Sequence, residues 1–155
     1  MRQPVFCVEE DSDDDSSENT QAVKNIIVIG KKRSGKSSII LRLLRNYFTL
    51  CYTPTVSIEF SEPVLIGHNF YRFYEIPYSY DFQHKVYLKP NIVFIVEDVD
   101  TDWWAKFLGT VNPSQIMEVF FITQKKNLKQ NYRQFKVDAL EFSGFSNLMY
   151  NVSTL

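Results

Sequence analysis

The sequence is poor in the residues that staple or ligate. It has two cysteines (Cys7 and Cys51), two histidines (His68 and His84) and no Cys-x-x-Cys. That excludes a disulfide framework and any recognisable zinc centre. Long apolar runs are missing too: none approaches the roughly 18–20 residues needed to cross a bilayer. No basic-then-apolar signal pattern opens the chain, residue 2 is Arg2 rather than an acylable glycine, and residues 151–155 hold no cysteine for prenylation. The expectation is a soluble, intracellular protein, cytoplasmic with the nucleus left open, that carries no lipid anchor. No internal repeat and no nucleic-acid-binding motif is visible, which weighs against a nucleic-acid partner.

What is present is unevenly placed. Of 18 acidic residues in 155, seven (Glu9, Glu10, Asp11, Asp13, Asp14, Asp15, Glu18) lie in the first 22, where Arg2 is the one base. The remainder carries 16 bases against 11 acids, so a net charge of -1 describes neither part. Carboxylates this close repel and bury nothing, so residues 1–22 are expected to be a disordered acidic tail. Ser12, Ser16 and Ser17, set among those acids, are candidate phosphorylation sites. The tail could instead dock on a basic partner or on the chain's own cations, or simply solubilise. With 45% hydrophobic residues, 23–155 can build the core of one compact domain.

Residues 25–29 are a short apolar, β-branched run that stops at Gly30, the pattern of a buried parallel strand. Beyond residues 30–37, Ile39, Ile40, Leu43 and Leu44 recur at helical spacing, and Tyr47 extends that face. Residues 56–60 and 71–74 alternate as half-buried strands, separated by a turn around Gly67, His68 and Asn69. Residues 91–96 form a second continuous apolar run. Residues 102–108 suit a short helix capped by Asp100, Thr101 or Asp102. Residues 119–122 and 139–142 read as the last strands. Strands alternating with helices predict an α/β fold with a mostly parallel central sheet and helices on both faces.

The informative motif is Gly30-Lys31-Lys32-Arg33-Ser34-Gly35-Lys36-Ser37, which satisfies G-x-x-x-x-G-K-[ST] without a mismatch. Such a loop curls so that successive N–H groups face phosphate oxygens, and the following helix adds its free amides and positive dipole end. Gly30, Arg33, Ser34, Gly35, Lys36, Ser37 and Ser38 are the candidate phosphate-binding residues. Lys36 supplies a full charge for the outer phosphates, and the Ser37 hydroxyl is a ligand for Mg²⁺. An apolar strand before it and an amphipathic helix after it make this a P-loop NTPase fold.

Residues 43–60 resemble the helix end and first switch of Ras/Rab-like small GTPases without insertion or deletion. The resemblance implies that Phe48 flanks a purine base. It makes Tyr52 and Thr55 switch residues, with Thr55 joining Ser37 on Mg²⁺ and sensing the γ-phosphate. Residues 91–103 are similar to the family's fourth-strand pattern. GTP or GDP is then the expected ligand, Mg²⁺ the cofactor, and effector or complex proteins the partners.

The other family motifs depart. Glu75 stands where the family's Mg²⁺-holding aspartate is expected, one methylene longer; Tyr78 replaces a glycine and Ser79 the glutamine that orients water. Pro77 removes a further backbone donor. The base motif reads Gln124, Lys125, Asn127, so one lysine is kept, and Asn127 presents an N–H₂ where an aspartate would accept two hydrogen bonds. Ser143 and Gly144 are expected to offer a backbone donor to the base. Lys32, between Lys31 and Arg33, replaces a glycine; these cations either strengthen anion binding and block an activator, or are an ordinary solvated loop. The penultimate helix should be reduced to residues 129–135 or missing and the last confined to 146–155, leaving apolar sheet surface for a partner.

Together these readings describe a degenerate small GTPase that binds a purine nucleotide with weakened base selectivity. It would act as a regulatory switch or scaffold with little or no hydrolysis. The alternative is a nucleotide-free pseudo-GTPase serving as an interaction module. A small-molecule kinase is disfavoured because residues 114–136 are short and contain a single Arg.

Overall fold

The structure, a computed structural model, describes residues 21–82, 88–123 and 133–155. The acidic tail to residue 20 and the base-motif residues Gln124, Lys125 and Asn127 lie outside the described residues. Seven strands make one sheet: β1 Lys24–Gly30, β2 Glu59–Phe60, β3 Val64–Ile66, β4 Asn69–Glu75, β5 Ile92–Val96, β6 Glu118–Thr123 and β7 Gln134–Lys136. Among the described residues three α-helices accompany them: α1 Lys36–Arg45, α2 Thr101–Thr110 and α3 Phe145–Ser153. The order across the sheet is β2-β4-β1-β5-β6-β7, with β3 also pairing β4. β1, β4, β5, β6 and β7 run parallel; β2 and β3 are antiparallel to β4. This is the mixed α/β, mostly parallel architecture expected of a P-loop NTPase.

The continuous apolar runs are needed because both sheet faces are covered. Ile26 and Val28 of β1, with Phe94 of β5 and Phe120 of β6, face α1 and α3. Their alternates Ile27, Ile29, Val93 and Ile95 face Trp103 and Phe107 of α2. Helices therefore lie on both faces. Among the described residues α2 is the one α-helix on its side, beside a groove of about 600 Å³ whose apolar lining includes Trp104, Ile116 and Phe121.

Several expected elements are corrected. The strand over residues 56–60 shrinks to β2, and the chain rejoins β4 as β3, which the sequence reading left out. Pro63 separates the two and has no N–H to give a ladder. Ser61 bridges the break by donating its amide to Phe73 O (2.9 Å) and accepting the Phe73 amide on Oγ (3.0 Å). Tyr47 does not extend α1: Asn46 caps the helix in the left-handed region (φ 48) and turns Tyr47 out, 56% exposed. Of the two expectations for the penultimate helix, reduced to residues 129–135 or missing, the first does not hold at Phe135, which is a buried residue of β7.

Residues 139–142, expected as the last strand, form a turn. Asp138 Oδ1 accepts the amides of Leu140 and Glu141, both at 3.0 Å, and that capture bends the chain away from the sheet. Gly144 then starts α3 at φ 80, where an added Cβ would lie 2.0 Å from Lys136 O. No helix among the described residues is long and apolar enough to cross a membrane.

Candidate functional site

Parallel sheets place ligands beyond the carboxyl ends of their strands, and the cleft here follows that rule. It measures about 420 Å³ and lies over the ends of β1 and β4. Its floor is the loop between β1 and α1. That loop needs glycine at Gly30, where a Cβ would come within 2.5 Å of Val96 O and 2.7 Å of Ser34 Oγ. Gly35 occupies the left-handed region (φ 95) at the cap of α1, a conformation glycine adopts without penalty.

Lys36 is 7% exposed, and its ammonium donates to Gly30 O at 2.8 Å and Lys31 O at 3.0 Å. Burial pushes its pKa down, opposed by the nearby Glu75 carboxylate. The next residue begins a polar cluster. Ser37 Oγ donates to the Glu75 carboxylate (2.7 and 2.9 Å), Thr55 Oγ1 donates to Glu75 Oε1 (2.9 Å), and the two hydroxyls are 3.4 Å apart. Glu75 is 5% exposed, and its extra methylene brings its oxygens into direct contact with both hydroxyls. Three hard oxygen donors from three separate elements fit Mg²⁺ chemistry.

The opposite wall comes from the segment between α1 and β2. Phe48 packs half-buried against the core and lies 5.8 Å from the Arg42 guanidinium. Arg42 also donates to Ala139 O and Leu140 O, tying α1 to the turn after β7. Further along, the Arg33 guanidinium lies over the Tyr52 ring, 4.7 Å from its centroid, joining the phosphate loop to this wall. Arg33 has φ 58, unusual for a non-glycine residue.

The structure thus gathers Arg33, Ser34, Gly35, Lys36, Ser37 and Ser38 around one cleft with Phe48, Tyr52 and Thr55. Gly30 sits beneath it as an acceptor for Lys36. Ser143 and Gly144 are not brought in: neither lines the cleft, and the Ser143 amide donates to Asp138 O (3.1 Å). Glu75, Pro77, Tyr78 and Ser79, the altered second-switch positions, also line the cleft, although only the phosphate-loop and first-switch residues were expected to bind there. Their signal was their place after the strand of residues 71–74, where the family's second switch is expected.

Lys31 is turned elsewhere. It pairs with Asp100 at 3.0 Å, and Asp100 also accepts the Tyr78 hydroxyl. The Trp103 indole donates to Tyr78 O (2.8 Å) and its ring stacks on Tyr78. Asp100 therefore occupies the cap position of α2 without capping it. The hydrogen bond from Tyr78, then that from Lys31, holds the Asp100 carboxyl below its usual range. The same contacts with Asp100 raise the pKa values of Tyr78 and Lys31.

The model of the Ras family matches residues 25–69. Over that stretch the chain is Ras-like. The match takes in β1, the phosphate loop, α1, the wall carrying Phe48, Tyr52 and Thr55, and the β3–β4 turn. It supports a relationship to the small GTPases and stops before Glu75 and everything that follows. No curated protein matches the chain.

Proposed function

We propose that this chain is a Ras-like protein that binds a purine nucleotide, GTP or GDP, together with Mg²⁺. It works through protein contacts as a switch or scaffold, with little or no hydrolysis. The observation that carries this reading is the convergence of Lys36, Ser37, Thr55 and Glu75 at one end of a single cleft. The loop amides and the N-terminus of α1 favour a polyanion there, and Lys36 adds a charge that burial makes strong. Ser37, Thr55 and Glu75 are the residues that would hold the cation. When bound, Mg²⁺ neutralises charge between the outer phosphates. Phe48 gives a purine an apolar face.

Weak turnover is proposed because the described residues after β4 that line the cleft, Pro77, Tyr78 and Ser79, offer no group suited to orient an attacking water. Ser79 is short, Pro77 has no N–H, and Tyr78 is held by Asp100 and Trp103. One observation favours the second reading, a nucleotide-free interaction module. The Ser143 amide is committed to Asp138 instead of facing a base. Mass-spectrometric identification of the nucleotide retained by the purified protein separates the readings. A guanine nucleotide supports the first; none, together with no titration heat from GTP, GDP or ATP in Mg²⁺, supports the second.

A further inference from the structure

Two adjacent cations of the phosphate loop are treated differently. Lys31 is paired with Asp100, outside the cleft, whereas Arg33 lines the cleft and has no carboxylate partner among the described residues. Its one strong contact is the Tyr52 ring, well within the roughly 6 Å at which a guanidinium is attracted to an aromatic face. A contact with one aromatic ring engages none of the five guanidinium N–H donors as a hydrogen bond to a carboxylate would, and leaves them available to an anion. Arg33 reaches this position from a left-handed backbone, an outlier that a solvated loop residue has no need to keep. Arg33 comes from the floor loop and Tyr52 from the facing wall, so their contact bridges two sides of the cleft that also holds Lys36, Ser37 and Thr55.

We propose that Arg33 and Tyr52 form a roof over the phosphate end of the cleft, with Arg33 binding the terminal phosphate of a nucleoside triphosphate and Tyr52 as its positioning residue. The proposal deepens the nucleotide-binding reading and rests on it. The planar fork suits a phosphate's oxygens, and contact with the ring holds the guanidinium at the cleft before the ligand arrives. The consequence is selectivity for triphosphate over diphosphate contributed by this chain's own loop.

The test is calorimetric titration of the full-length protein with GTP and with GDP in Mg²⁺, for the wild type and four variants. Arg33→Ala should weaken GTP about tenfold and GDP less than threefold, as loss of one charge-assisted contact implies. Arg33→Lys should not restore the difference, because an ammonium has no plane to stack. Tyr52→Ala should lower the GTP/GDP ratio, and Tyr52→Phe should return it to the wild-type value because the ring is what matters. Both side chains are exposed, and thermal melts beside the titrations establish that each variant is folded. Equal weakening of both nucleotides by Arg33→Ala, no weakening of either, or a Tyr52→Phe protein as impaired as Tyr52→Ala would each overturn the roof alone. A wild type that binds neither nucleotide overturns the binding reading and the roof with it.

Discussion

At the scale of residues, the site depends on a buried cation. Lys36 has a pKa lowered by burial, so folding disfavours its charged form. For a base lowered on folding, that penalty is fully present below the folded-state pKa and disappears as pH rises through the unfolded value of 10.5. Lys36→Met removes the charge and keeps much of the stem. It should therefore raise or preserve the thermal midpoint at pH 7 while nucleotide retention is lost; a sharp drop in the midpoint would mean that the ammonium's two carbonyl contacts outweigh its desolvation. Gly30 is constrained from the other direction. Gly30→Ala drives a methyl into Val96 O, a backbone atom that cannot rotate away. Overpacking of this kind destabilises by about 1–3 kcal/mol, readable in urea unfolding. An unchanged midpoint would show that β1 and β5 separate more easily than their register implies.

At the scale of elements, the segment after β4 is fastened by a small network instead of being free to respond to a ligand. Asp100→Asn should loosen it, seen as faster hydrogen exchange at Tyr78 and Tyr80 and altered Trp103 fluorescence. Unchanged exchange would assign the pinning to the stacked rings and the Trp103 indole hydrogen bond to Tyr78 O. The network also sets a pH window. Asp100 is depressed, so its contribution is present above the ordinary value of 3.8 and lost as pH falls through its lower folded value. Lys31 and Tyr78 are raised, so theirs are present below 10.5 and 10.0 and lost as pH rises past their folded values. Trp103 fluorescence should hence be level between those limits and change outside them.

The elements also show what could be read in the chain beforehand. The phosphate loop and α1 were legible because glycine spacing and helical periodicity are local signals, and the buried strands because both of their faces are covered. β3 was hidden by Pro63, whose effect was to split an edge and not to end it. The turn at residues 139–142 looked like a strand because Ala139, Leu140 and Phe142 make a short apolar run; the capture of two amides by Asp138 is a side-chain event that such a run does not register. The Lys31–Asp100–Tyr78–Trp103 network joins residues up to 72 positions apart. No spacing within the sequence announces such a contact. Glu75 was noticed, but its direct reach to two hydroxyls required the parallel register of β4 against β1.

At the scale of the whole molecule, the opposite end of β1 bears on the acidic tail. Gln21 donates to His68 O at the β3–β4 turn, and Lys24 to Leu155 O at 3.4 Å, so the described chain starts at the far end of the sheet from the phosphate loop. A seven-residue strand is about 23 Å long. Glu18, three residues from Gln21, reaches no more than about 10 Å, and Asp15 about 20 Å, whereas Glu9 to Asp13 have the length to reach the loop. We propose that any contact with Lys32 and Arg33 is made by those residues. Deleting residues 1–20 should then tighten nucleotide binding at low salt and leave it unchanged at high salt. Equal affinity at low salt would make the tail a solubiliser.

The central claim is that the cleft under Lys36 binds a nucleotide through its phosphates. Titration of Mg²⁺·GTP into the wild type and Lys36→Ala, each checked by circular dichroism, tests it most directly. The expected result is saturable binding by the wild type and none by an equally folded variant. Equal binding by both, or none by the wild type with GTP, GDP or ATP, would contradict it.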